Sequence, residues 1–298
     1  MRMSRQPFCS SPSIGVTWSR ASRWLPVLLF AALGATAAQA RRGPADLLVA
    51  PTRVVFEGRV RTAEITLVNI GSSTATYRIS FVHLRMGEEG GTKEIETADA
   101  EPGERFADEL IRYSPRQVTL EPNVAQTIRM QLRKPADLDP GEYRSHLLFR
   151  AVPAAGPDLG VTDDPTAFSV KLTGIYGVSI PIIVRHGDTS AKATLSDLEL
   201  VPPSGAEAAP ALRFRIGRTG NQSIYGNLTV TFVAADGKAS VIGLANGVAV
   251  YTPNLLRRAS IPLHVPPGVV LEHGRLHLAY TKQDKGNETI AEADRLMQ

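Results

Sequence analysis

Six histidines and one cysteine are the residues from which catalysis or metal binding would have to start. His273 and His277 lie four apart, a spacing that stacks two imidazoles on one face of a helix. Around them, however, Leu276-His277-Leu278-Ala279-Tyr280 alternates apolar and polar residues, which is a strand pattern. Four strand residues span about 13 Å, too far for the pair to share an ion. His146, within Tyr143–Phe149, reads as a packed or surface residue. Asp163-Asp164 and Glu88-Glu89 lack the regular acidic spacing of a calcium loop. Gly87-Glu88-Glu89-Gly90-Gly91 reads as a hairpin turn rather than a phosphate cradle. There is no nucleophile elbow, no phosphate-binding loop and no dinucleotide fingerprint. The expectation is a protein without catalytic residues, metal or cofactor.

The lone cysteine, Cys9, sits in a segment that reads as an address. Arginine-bearing polar residues lead into Trp24-Leu25-Pro26-Val27-Leu28-Leu29-Phe30-Ala31-Ala32-Leu33-Gly34, and Ala38-Gln39-Ala40 supplies a small-x-small cleavage site before Arg41. This is the order of a secretory signal peptide, and the apolar run is short for a membrane span. Cleavage at residue 40 yields an exported chain free of cysteine, with no disulfide and no thiol nucleophile. It also removes four arginines and no acid. Of 33 basic and 29 acidic residues, 29 and 29 remain, and a neutral chain is a poor match for nucleic acid. No later segment is apolar enough to span a bilayer.

Period-two alternation dominates the rest, in Ala63–Leu67, Tyr77–Phe81, Ile128–Arg133, Leu212–Ile216, Leu228–Phe232 and Leu276–Tyr280. Gly, Pro, Asn and Asp punctuate the gaps. Half-buried strands joined by tight turns predict an all-β protein of two immunoglobulin-like β-sandwich domains. The expected layout is a signal peptide over 1–40, a first domain over 41–186, a second over 187–283 and a polar tail over 284–298.

Three stretches of the first domain then stand in order: Leu47-Leu48-Val49-Ala50-Pro51-Thr52-Arg53-Val54-Val55-Phe56, Tyr113-Ser114-Pro115-Arg116-Gln117-Val118-Thr119-Leu120-Glu121-Pro122, and Asp139-Pro140-Gly141-Glu142-Tyr143-Arg144-Ser145-His146-Leu147-Leu148-Phe149-Arg150. From about Asp46 to Arg185 the chain resembles the periplasmic pilus-assembly chaperones, the PapD-like family of chaperone–usher systems. The second domain matches only in position, length and strand character. The resemblance implies two sandwiches set as a boomerang in the periplasm. It implies binding of pilus or fimbrial subunits by donor-strand complementation, and their delivery to an outer-membrane usher. An unfinished subunit exposes an apolar groove and unpaired backbone, so the lent strand must be extended, with apolar side chains at alternate positions.

By the same resemblance the donor strand lies in Phe168-Ser169-Val170-Lys171-Leu172-Thr173-Gly174-Ile175, with Phe168, Val170, Leu172 and Ile175 as its apolar residues. Arg53 falls where the family grips the subunit's C-terminal carboxylate, a task suited to the planar guanidinium fork. At the position of the family's second anchor, a lysine on the last strand, this chain has Ser179; either Lys171 or another cation substitutes, or the chain belongs to a divergent branch that anchors subunits differently. A different class of function, a secreted structural or adhesive component, fits the same sandwiches. Such a component needs a donor extension, and only Arg41–Ala45 would precede the first strand.

Overall fold

The computed structural model describes residues 46–153, 175–203, 209–283 and 288–297. The expected signal peptide lies outside them. The first sandwich runs through β1 (Leu47–Ala50), β2 (Val54–Phe56), β3 (Thr62–Asn69), β4 (Ala75–Met86), β5 (Thr92–Ile95), β6 (Ile111–Ser114), β7 (Gln117–Leu120), β8 (Ala125–Leu132), β9 (Gly141–Val152) and β10 (Gly177–His186). One sheet has the order β1-β3-β8-β6. The other has the order β2-β10-β9-β4, with β5 and β7 both pairing β4. The chain changes sheets between β1 and β2 at Pro51, and between β6 and β7 at Pro115. Proline donates nothing to a ladder, so each breaks the pairing where the strand crosses over. This is the layout of an immunoglobulin-like sandwich.

The alternation read from the sequence is the core. Ile65, Leu67, Ile128, Leu147, Phe149 and Ile182 are wholly shielded, and Phe56 with them. Each such side chain contributes about 1.5–3 kcal/mol relative to exposure. On β10, Ile180, Ile182 and Val184 enter this core. Ile183 points the other way, against Met86, Ala249 and Tyr251.

The chain leaves β10 through Gly187, where φ is +65° and a β-carbon would stand 2.8 Å from that of Pro140. Only glycine satisfies both the left-handed backbone and the close approach. The second sandwich follows with β11 (Ala191–Val201), β12 (Ala211–Gly220), β13 (Ile224–Ala234), β14 (Ala239–Val250), β15 (Leu256–Pro262), β16 (Gly274–Lys282) and β17 (Thr289–Leu296). Its sheets are β11-β12-β15 and β14-β13-β16-β17. Leu212, Ile216, Leu228, Val230, Leu276, Leu278 and Tyr280 fill the space between them.

One sequence expectation needs correction. The stretch 284–298 is no polar tail over Thr289–Leu296. It pairs with β16 from Arg275↔Leu296 to Thr281↔Thr289 as the edge strand β17. Its inner face is made of small and mixed residues, with Ile290 and Met297 resting on the core, so no large-apolar alternation marked it. Ile175, expected within the lent strand, lies before β10 outside any strand and is 48% exposed. Phe168, Val170, Lys171 and Leu172 lie outside the described residues.

Candidate functional site

The first feature is an edge. Strand β2 pairs with β10 only at Ile182–Val184. N-terminal to Ile182, no strand among the described residues covers that side of β10. The Ala151 N–H donates to the Tyr176 carbonyl at 2.9 Å, and the β9–β10 ladder then runs without a register shift from Gly177↔Arg150 to His186↔Gly141. Even-numbered residues of β10 therefore direct main-chain groups to β9 and odd-numbered ones away from it. Pro181 is odd, so its missing donor falls where none is needed. Gly177 and Ser179 turn their N–H and C=O to the uncovered side. Side chains alternate in the same way. Val178 and Tyr176 continue the face of Ile180 and Ile182 past the end of the core, and are 38% and 76% exposed. Ser179 is exposed on this edge.

The second feature is the junction between the sandwiches, built on one face of β9. Glu142, Arg144 and His146 are two apart, so they share that face. Opposite them on β10 stand Arg185, Ile183 and Pro181. Glu142 is 3% exposed. Arg185 Nε donates to its Oε2 at 3.1 Å, the Ser223 N–H donates to the same oxygen at 3.1 Å, and Ser223 Oγ donates to Oε1. The Thr252 N–H donates to Ser223 Oγ at 3.0 Å, and Arg185 also pairs with Glu57 at 2.9 Å. A buried carboxylate is tolerated only when so provided. Glu142 thus pins two turns of the second sandwich to the first.

Around this pin lie cations that make no ion pair among the described residues. Arg53, just before β2, sets its guanidinium 4.3 Å from the centre of the Tyr225 ring. Arg144 sits 4.2 Å over Tyr251, and His146 meets Tyr251 edge-on, with ring centroids 6.3 Å apart. These cation–π contacts cross from one sandwich to the other. Arg144 donates to the Leu84 carbonyl at 3.2 Å through Nη2. Its Nε and Nη1, Arg53 Nε and His146 Nδ1 are shielded from solvent without a partner among the described residues. Burial lowers the pKa of Arg53, Arg185 adding to the effect, while Tyr251 and Glu142 oppose it. Burial likewise lowers that of Arg144. His146 is driven down to about 3, first by burial and then by Arg144 and His83. Donors left open in a dry seam between guanidiniums suit an anion.

Sequence reasoning singled out Arg53, which the structure places against Tyr225 at the junction, and did not single out Arg144, Glu142 or Tyr251. The signal was available in Glu142-Tyr143-Arg144-Ser145-His146, where alternate ionisable residues interrupt an otherwise buried strand.

Two constellations with catalytic residue types are structural. Ser145 Oγ accepts from the Ala107 N–H at 2.9 Å and donates to Asp108 Oδ1 at 3.2 Å, with His83 Nδ1 3.3 Å away. Ser145 is wholly buried, and its oxygen accepts from the 107 and 108 backbone N–H groups. His277 Nδ1 lies 2.8 Å from Asp294 Oδ1 across β16 and β17. No group of three metal-ligating side chains occurs among the described residues. No helix among them is long and apolar enough to cross a membrane.

No protein-family model matches the chain, and no curated protein matches it. Solved structures do. The YadV chaperone is 13% identical, with 85% of this chain and 100% of that one covered, at a TM-score of 0.41. The CupB2 chaperone of Pseudomonas aeruginosa is 12% identical, with 84% and 100% covered, at 0.40. The E. coli chaperone DraB is 12% identical, with 85% and 97% covered, at 0.41.

Proposed function

We propose that the protein is a periplasmic chaperone that holds pilus or fimbrial subunits by donor-strand complementation and passes them to an outer-membrane usher, without catalysis. The observation that carries this reading is the uncovered edge of β10. Gly177 and Ser179 present main-chain donors and acceptors there, and Val178 and Tyr176 extend the core-facing side chains beyond the sandwich. An edge of this kind invites strand addition. In the sequence the proposed donor residues Phe168, Val170 and Leu172 alternate, as a lent strand requires. The ordered motifs from Pro51 to Phe149 and the signal-like first forty residues support the same reading.

Arg53 grips the subunit's terminal carboxylate. Lys171 is the second cation on the lent segment, and Arg144 is the described cation whose free donors fit it for the same work. Co-expression with a cognate subunit tests this. Changing Phe168, Val170 and Leu172 together to Ser should abolish recovery of the complex, and undiminished recovery would place the donor strand elsewhere. Arg53→Ala should weaken capture by about 2–5 kcal/mol, as loss of a desolvated charge contact does. Equal affinity in titration calorimetry would return Arg53 to a purely structural role.

A further inference from the structure

On the face of β9 turned away from the core, the junction residues occupy one end and Arg150 the other. Arg150 is the cross-strand partner of Arg78 on β4, and both are exposed. Like charges directly opposed cost a sheet stability. The row they share runs Gly177, Arg150, Arg78, Gln117, from β10 through β9 and β4 to β7. Ser179, Leu148 and Ser80 form the row on one side, and Val152, Thr76 and Thr119 the row on the other. Cross-strand partners point to the same face, so these side chains make one platform, and none of them is an acid. Neither arginine makes an ion pair or a side-chain hydrogen bond among the described residues.

Cations face each other elsewhere in the molecule, and there acids compensate them. Arg215 and Arg258 are cross-strand partners on β12 and β15. Arg215 pairs with Asp197 at 3.1 Å, and Arg258 with Glu88 and Glu89, each at 3.1 Å. Arg85 stands opposite Lys93 and is held by Glu101 at 2.8 Å and Glu104 at 2.6 Å. The Arg78–Arg150 pair has no such acid, so its charge is open to a partner's. Its position says which partner. Gly177 and Ser179 belong both to this platform and to the uncovered edge of β10. A strand added to that edge lies two strand spacings from β9, about 10 Å. Gly177 has no side chain to stand between them. Arg150, repelled by Arg78, can therefore lie across β10 and meet a carboxylate on the added strand.

We propose that Arg150, backed by Arg78, selects subunits whose added strand carries acidic residues at the alternate positions that face away from the core. This rests on reading β10 as the edge to which a subunit adds a strand. Two peptides separate the ideas: an uncharged one tests the edge, and the gain from adding acids tests the arginines.

The probes are peptides of about ten residues, long enough to pair along a strand of ordinary length, with Val alternating with Asp in one and with Ser in the other. Both ends are blocked, which leaves no terminal carboxylate for Arg53. In calorimetric titration at low salt, the parent should bind the Asp peptide about threefold to tenfold more tightly than the Ser peptide, the scale of two exposed ion pairs. High salt should erase the difference. The double variant Arg78→Gln, Arg150→Gln should bind both peptides alike, at the parent's affinity for the Ser peptide. The double variant Arg78→Glu, Arg150→Glu should instead favour a third peptide, of Val and Lys. Without peptide, the Gln variant should keep or raise the parent's thermal midpoint at low salt, because a like-charge pair is relieved. No preference for Asp in the parent, or the same preference in the Gln variant, would overturn the proposal. A midpoint lowered by several degrees would also overturn it, since the arginines would then be holding part of this chain. If neither peptide binds the parent, the edge adds no strand and both readings fall together.

Discussion

Two arginines at the domain junction make no ion pair among the described residues, and their fates differ. Arg218, 3% exposed, is caged by carbonyls. Nε donates to Asn254 at 2.7 Å, Nη1 to Gly220 and Gln222 at 2.7 and 2.9 Å, and Nη2 to Pro253 at 3.2 Å. Arg144, 9% exposed, has one such bond and two shielded nitrogens with none. Burial lowers the pKa of both. The desolvation cost is therefore common to them, and only the return on it differs. Arg218 recovers it inside the protein by shaping the 220–222 and 253–254 turns that carry the second sandwich's side of the junction. Arg144 recovers less of it through hydrogen bonds, and is compensated by the Tyr251 ring and by the fields of Glu142 and Glu104.

The largest effect expected at this junction is one of pH, and it asks how dry the seam is around Arg144. His146 titrates near pH 6.5 in the unfolded chain and at about 3 in the folded one. The unfolded state thus binds the extra proton between those values. Stability is whole above pH 6.5 and falls as pH drops towards 3, by on the order of 4 kcal/mol from this group. Urea unfolding at pH 7, 5 and 4 should show His146→Phe losing less stability than the parent across that range. Parallel losses would mean that water reaches the seam.

Next in size is the cage. Arg218→Met should destabilise by about 2–4 kcal/mol, because four carbonyls lose a charged donor. Arg144→Met is the counterpart and the smallest effect. Replacing a half-satisfied buried charge by an apolar chain should leave unfolding within about 1 kcal/mol of the parent, while subunit capture weakens. Equal destabilisation by the two substitutions would erase the distinction between them. Unchanged capture by Arg144→Met would leave Arg53 and Lys171 to hold the carboxylate.

Alternation alone determined the architecture of this protein. Ile65 with Leu67, Ile128 with Met130, and Leu212, Phe214 and Ile216 point inward because a strand side chain has only two directions and water rejects one set. Strands without that contrast stayed hidden. The β17 strand lies at an edge, where small residues suffice, and β14 carries Gly243 and Gly247 in its midst. Arg53 could be singled out from its motif. The rest of the junction was decided only in three dimensions. Glu142 and Ser223 are 81 residues apart, and nothing local marks either as a partner of the other. The same holds for Arg144 with Tyr251, and for Glu88 with Arg258. A charge declares its type in the sequence, but its cost depends on what the fold places around it, and that is set by contacts between residues far apart in the chain.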